Sequence, residues 1–249
     1  LQHVRHAVED FSAMKERALV EAEYLSGHHA LLEGEDWEEA REFLKWLGDS
    51  NFVFLGFDEH RFVKKDGTRI LEPVEGSVLG TMKFHAQRKS WVIDSLPSEA
   101  RGFVEAKTIL TFVNSTHRSR VHRAVYPDYI TVKRFGEDGE IVSVCRFLGL
   151  FTSSVYHQEP SEIPLVRSKV AMVKAKSEFS EGSHYDKALN GVLNIYPRDE
   201  LFQASVDSIF MTSMAIVQLQ EAPRVRVFLR RNPYGRFYYC QVFVPKEIY

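Results

Sequence analysis

Cysteine is almost missing from this sequence: Cys145 and Cys240 are the two in 249 residues. Two thiols make no disulfide framework, and a reducing cytoplasm is the simplest setting. Each lies inside an apolar run, which predicts two core thiols. No apolar stretch is long enough to cross a bilayer, so no membrane is implied. The opening LQHVRHAVEDF mixes polar and apolar residues and lacks the order of a secretory signal. A basic excess is missing too. Lys and Arg number 32 against 34 Asp and Glu, a net charge of -2. That argues against a dedicated nucleic-acid binder. No GxGxxG turn and no Walker-type loop occurs. The nearest glycine pairs, Gly76/Gly80 and Gly136/Gly139, fall in loops or hairpins. A phosphate cradle for nucleotide chemistry is therefore lacking in this stretch.

What is present reads as an ordinary globular balance, 44% hydrophobic and 27% charged. A chain of this length buries a sizeable core without disulfides or metals. Residues 3–25 carry apolar positions at spacings of three and four and predict a helix. A second helix begins at Asp36, a favourable N-cap, and stops at Gly48-Asp49. From Asn51 the pattern changes to aromatic and β-branched residues. Strands are predicted over 51–63, 69–74 and 109–114, with a strand or short helix over 91–96. The clearest hairpin joins 129–135 to 140–151 through Gly136-Glu137-Asp138-Gly139. Aromatics such as Phe52, Phe54, Phe57, Phe147 and Phe151 are assigned to the core.

Pro160 and Pro164 separate this sheet from helices. One is predicted over 167–179. Ser183-His184-Tyr185-Asp186 opens a second with a capping-box pattern that uses Asp. A single long helix is expected between Pro197 and Pro223. Strands over 225–230 and 237–244 flank a turn at 231–235. A lone hairpin is marginal in water, and the chain opens on Leu1 without an initiating Met. Both ends are thus expected to be cut from a longer polypeptide. Strands followed by helices argue an α+β chain. The expected division is a helical segment over 1–48, an antiparallel five-stranded sheet domain over 49–160, a helical segment over 161–222 and a hairpin over 223–249.

Site chemistry is sparse. Ten histidines are present, but the pairs His3/His6, His28-His29 and His117/His122 lack carboxylates or cysteines at metal-ligand spacing. No GxSxG elbow accompanies Ser115 or Ser119. The distinctive feature is THRSRVHR at 116–123. On a strand, Arg118 and Arg120 share a face, with His122 two further on. With Arg123 these could grip a carboxylate or phosphate, or form a subunit contact. A solvated face paired with acidic side chains is the competing reading.

Several segments together resemble the large bacterial NAD-specific glutamate dehydrogenases. They are FLKWLGDSNFVFLGF (43–57), STHRSRVHRAVYPDYITVKRF (115–135), CRFLGLFTSSVY (145–156), IPLVRSKV (163–170), NIYPRDELFQ (194–203) and FLRRNPYGRFYYCQVFVPKEIY (228–249). The resemblance implies a fragment of an N-terminal regulatory half: a PAS-like sheet, helices, then the start of an ACT-type module. It implies a parent enzyme that uses NAD to convert L-glutamate to 2-oxoglutarate and ammonia. No cofactor and no catalytic residue of that reaction is assigned to this stretch. The implied partners are other regions of the same polypeptide, further copies of it and an amino-acid effector. A free-standing PAS-like sensor of a small ligand is the alternative.

Overall fold

A polar residue, Asp10, interrupts the first helical pattern. The computed structural model describes residues 2–28, 36–85, 90–219, 224–231 and 238–245. In it α1 (Gln2–Glu9) and α2 (Phe11–Gly27) are separate helices. The Asp10 carboxylate accepts the Gly80 N–H at 2.7 Å and pairs with Lys83 at 2.6 Å. Helix α3 (Trp37–Trp46) begins as expected, with the Asp36 side chain accepting the Glu39 N–H. An irregular turn over Leu47–Asn51 places Ser50 at φ 65 and turns the chain into the sheet.

The chain divides into two units, Leu1–His157 and Gln158–Tyr249. The first holds an antiparallel sheet of β1 (Phe52–Lys65), β2 (Thr68–Pro73), β3 (Leu79–Gly80), β4 (Trp91–Val92), β5 (Leu110–Asn114), β6 (Asp128–Phe135) and β7 (Ile141–Phe151). The strand order is β4-β2-β1-β7-β6-β5, with β3 on β1. Five strands are long and two have two residues each, so the five-strand expectation describes the body of the sheet. Between β3 and β5 lie α4 (Met82–His85), a 3-10 turn at Ile93–Ser95 and α5 (Ser98–Glu105). The strand or short helix expected over 91–96 is a two-residue strand, β4, followed by the 3-10 turn, with a short helix on either side.

One face of the sheet is aromatic and lies under α2 and α3. Phe54 meets Phe52 at 5.2 Å and Phe147 at 5.8 Å between ring centroids. Phe11 of α2 and Phe43 of α3 extend the same packing. Met14, Ala18, Ala22 and Leu25 are the buried stripe of α2. The other face carries two apolar clusters: Leu71, Ile93 and Val144, and Ala7, Leu55, Met82, Leu148 and Leu150. Between them runs a polar strip.

The second unit begins with a 3-10 turn at Pro160–Glu162, then α6 (Val166–Ser177) and α7 (His184–Ile195). Ser183 caps α7 by accepting the Asp186 N–H, and Asp186 accepts the Gly182 N–H. The expected single helix after Pro197 is corrected to two, α8 (Arg198–Gln203) and α9 (Val206–Gln218). Ala204 is extended, and Ser205 starts α9 by capping the Ser208 N–H. Strands β8 (Arg226–Arg231) and β9 (Tyr238–Phe243) pair antiparallel as expected. The turn expected at 231–235 falls mostly outside the described residues. Cys145 is buried, but Cys240 is exposed on the hairpin, contrary to the expectation of two core thiols.

Candidate functional site

Antiparallel pairing of β1 with β7 sets Asp58 opposite Arg146 and His60 opposite Val144. Arg146 grips Asp58 with a fork: Nε–H donates to Oδ1 at 2.7 Å and Nη2–H to Oδ2. The guanidinium also lies 5.2 Å from the Trp91 ring centroid and 5.8 Å from that of Tyr129. The His60 ring stacks on Trp91 at 4.7 Å. Asp58, His60 and Thr131 are buried, whereas the Arg146 side chain keeps 29% of its exposure.

The electrostatics follow from this packing. Burial pulls the His60 imidazole down to about 4, more than the nearby Asp58 carboxylate can restore, and Arg146 pushes the same way. His60 is therefore neutral at neutral pH. Its Nδ1 is 3.7 Å from Asp58 Oδ1 and has no hydrogen-bond partner. Burial opposes the Arg146 charge, but the attraction and hydrogen bonds of Asp58 prevail and hold it above its ordinary range.

The opposite face of the sheet has a charge cluster with a different character. Glu21 of α2 is fully buried and takes Nε–H and Nη2–H bonds from Arg134 at 2.8 and 2.5 Å. The Cys145 thiol donates to the same carboxylate at 3.3 Å. Burial, and then Glu21, push that thiol far above its usual range, so it is not poised as a nucleophile. This cluster fastens α2 to the sheet.

The four residues singled out from the sequence, Arg118, Arg120, His122 and Arg123, lie in an irregular loop between β5 and β6. The strand on which Arg118 and Arg120 would share a face is not formed there. The loop folds on itself: Ser119 N–H donates to the Val125 carbonyl at 2.8 Å and Ser115 N–H to that of Pro127 at 2.7 Å. His122 sits at φ 68. All four are exposed. Arg118 lies over Tyr126 at 5.4 Å, and Arg123 donates to the Phe151 carbonyl at 2.7 Å. They do not join the Arg146 cluster, although Val121 of the same loop and Tyr129 both pack against the apolar cluster of Leu55, Leu148 and Leu150.

Asp58, His60 and Arg146 were not singled out by sequence reasoning. Their signal is charge inside otherwise apolar strand patterns, FLGFDEHRF and CRFLGLF. Asp58 and Arg146 are 88 positions apart, and only the strand register brings them together.

In the second unit, Lys169 Nζ donates to the carbonyls of Leu201, Phe202 and Ala204 at 2.9, 2.8 and 2.9 Å. It thereby closes the C-terminal end of α8. Burial draws Lys169 down to about 8 despite the nearby Glu200. Buried Glu200 pairs with Arg230 of β8. Arg198 is buried and donates to the carbonyls of Gln158, Asn194 and Tyr196.

These second-unit elements coincide with known modules. Residues 163–222, which contain α6 to α9, match the family model of glutamate dehydrogenase helical motif 1. Residues 226–249, which contain β8 and β9, match that of the glutamate dehydrogenase ACT2 domain. The whole chain is 40% identical over 252 residues to an NAD-specific glutamate dehydrogenase of Pseudomonas aeruginosa. It is 37% identical over 251 residues to that of Halomonas elongata. The chain is a relative of the large NAD-specific glutamate dehydrogenases. It spans 15% and 16% of the length of these two relatives. The Mycobacterium tuberculosis NAD-specific glutamate dehydrogenase is 28% identical over 86% of this chain. The glutamate dehydrogenase likeness thus extends across both units. No helix among the described residues is long and apolar enough to cross a membrane.

Proposed function

We propose that this chain is a non-catalytic regulatory and assembly segment of a cytoplasmic NAD-dependent glutamate dehydrogenase. The observation that carries the reading is full-length similarity at 40% identity to such an enzyme, of which the chain spans 15%. The helical-motif and ACT2 matches support a regulatory rather than a hydride-transferring role. The missing glycine-rich phosphate turn points the same way. The whole protein would oxidise L-glutamate to 2-oxoglutarate and ammonia with NAD, and would act as a homo-oligomer. The curled antiparallel sheet with helices on its aromatic face is read as PAS-like, and the hairpin as part of an ACT-type module.

Two assays test this. The 249-residue chain, incubated with glutamate and NAD, is expected to produce no NADH; glutamate-dependent turnover would refute the non-catalytic role. Deleting the corresponding segment from a longer dehydrogenase is expected to change its oligomeric state or its response to effectors. An enzyme unchanged in both respects would refute the regulatory and assembly role.

A further inference from the structure

We propose that the Asp58–Arg146 pair in the first unit is a binding site for a free α-amino acid, held as its zwitterion. The assignment rests on the regulatory reading above and gives it an address and a ligand class.

Three observations point to it. The first is charge balance. Asp58 and Arg146 neutralise each other, and His60 beside them is neutral. A carboxylate alone could take Arg146 only by leaving buried Asp58 without its cation, which is the expensive way to open such a pair. An amine alone would strand Arg146 in the same way. A ligand carrying both groups replaces each partner at once: its carboxylate meets the guanidinium fork and its ammonium meets Asp58. The exchange keeps every charge compensated.

The second observation is an unused polar atom. His60 Nδ1 is buried, with the residue 5% exposed, and has no hydrogen-bond partner. Buried polar groups in native proteins almost always have partners. Here the orphan lies beside the carboxylate that would receive the ammonium. A ligand polar atom at that point would satisfy it.

The third is access. Arg146 keeps 29% side-chain exposure while its partner carboxylate is inside, so solvent reaches part of the arginine side chain beside the buried acid. Trp91 and Tyr129, both half-buried, flank the guanidinium with rings. They offer flat apolar walls for a ligand side chain.

The test uses the 249-residue chain and four probes: L-leucine, L-phenylalanine, L-aspartate and L-lysine. Each is titrated beside its des-amino acid and its decarboxylated amine by calorimetry. At least one amino acid is expected to bind with a Kd of about 1 mM or tighter, and both of its half-molecules roughly ten-fold or more weaker. No binding by any of the four at about 10 mM overturns the proposal. So does a half-molecule that binds as well as the whole.

Placement is read separately. In labelled unmodified protein, the indole N–H resonance of Trp91 is expected to shift on saturation with the bound amino acid. Shifts confined to Trp37 and Trp46 would overturn the site. Arg146→Lys keeps the charge but loses the fork, and is expected to weaken binding roughly ten-fold or more. A folded Arg146→Lys chain that binds as the parent does would also overturn it. A chain that binds no amino acid leaves the segment's role in the dehydrogenase standing, because turnover and segment deletion decide that role.

Discussion

The Glu200 carboxylate of α8 receives two bonds from the Arg230 guanidinium of β8, one from Nε and one from Nη2 at 2.9 Å. Glu200 is 3% exposed, so this pair joins the helical motif to the hairpin through a contact whose acid is buried. Removing one partner strands the other. Arg230→Met is expected to destabilise the second unit by about 3 kcal/mol or more, and the double replacement Glu200→Leu/Arg230→Met by clearly less. Urea unfolding of the four proteins checks this. Equal losses for the single and double variants would mean that the pair contributes through packing rather than charge.

His60 makes the first unit sensitive to acid. Its folded-state pKa of about 4 lies below the ordinary 6.5. Between those values the unfolded chain binds a proton that the folded chain refuses. Its contribution is therefore fully present above pH 6.5 and is lost as pH falls toward 4. The full loss is about 3 kcal/mol at the most. Unfolding measured at pH 7 and near pH 4 is expected to show a smaller acid loss in His60→Gln than in the parent. Identical pH slopes would mean that His60 titrates normally.

The sheet was legible because its cause is local. Alternation, β-branched and aromatic residues, and an Asp-Gly turn specify β1, β6 and β7 wherever they pack. The caps at Asp36 and Ser183 were legible for the same reason: a short side chain accepts an N–H three residues on. The helix break at Asp10 was not, because its carboxylate serves Gly80 and Lys83, seventy residues away. The split at Ala204 likewise depends on Lys169, which takes the carbonyls that end α8. The loop arginines were conspicuous in the sequence because they cluster there. Asp58 and Arg146 cluster only after β1 and β7 have paired.

Gly149 is required by a close approach rather than by an unusual backbone angle. A Cβ there would lie 2.3 Å from Phe52 Cε1 and 2.4 Å from the Val53 carbonyl oxygen. Both belong to the strand paired with β7, so neither can yield without disturbing the aromatic face. Gly149→Ala is expected to cost about 2 kcal/mol or more through overpacking. The natural comparison is Gly102→Ala, where an added Cβ meets nothing within 4 Å. Thermal unfolding of the two variants separates them, and equal midpoints would contradict the tight β1–β7 contact.

Arg118 and Arg120 give the opposite expectation. Both are exposed, and among the described residues no carboxylate lies within ion-pair distance of either. Their charge therefore contributes little to folding. The double variant Arg118→Ala/Arg120→Ala is expected to unfold within about 0.5 kcal/mol of the parent chain. If the loop meets an acidic surface of another subunit or domain, the same variant in the longer dehydrogenase shifts the oligomer distribution or the effector response. Added salt should then mimic the variant, since exposed charge pairs are screened within about 10 Å at 0.1 M ionic strength. Sedimentation velocity at low and high salt reads both effects. A variant whose assembly and effector response match the parent at every salt concentration would reduce these arginines to a solvated face.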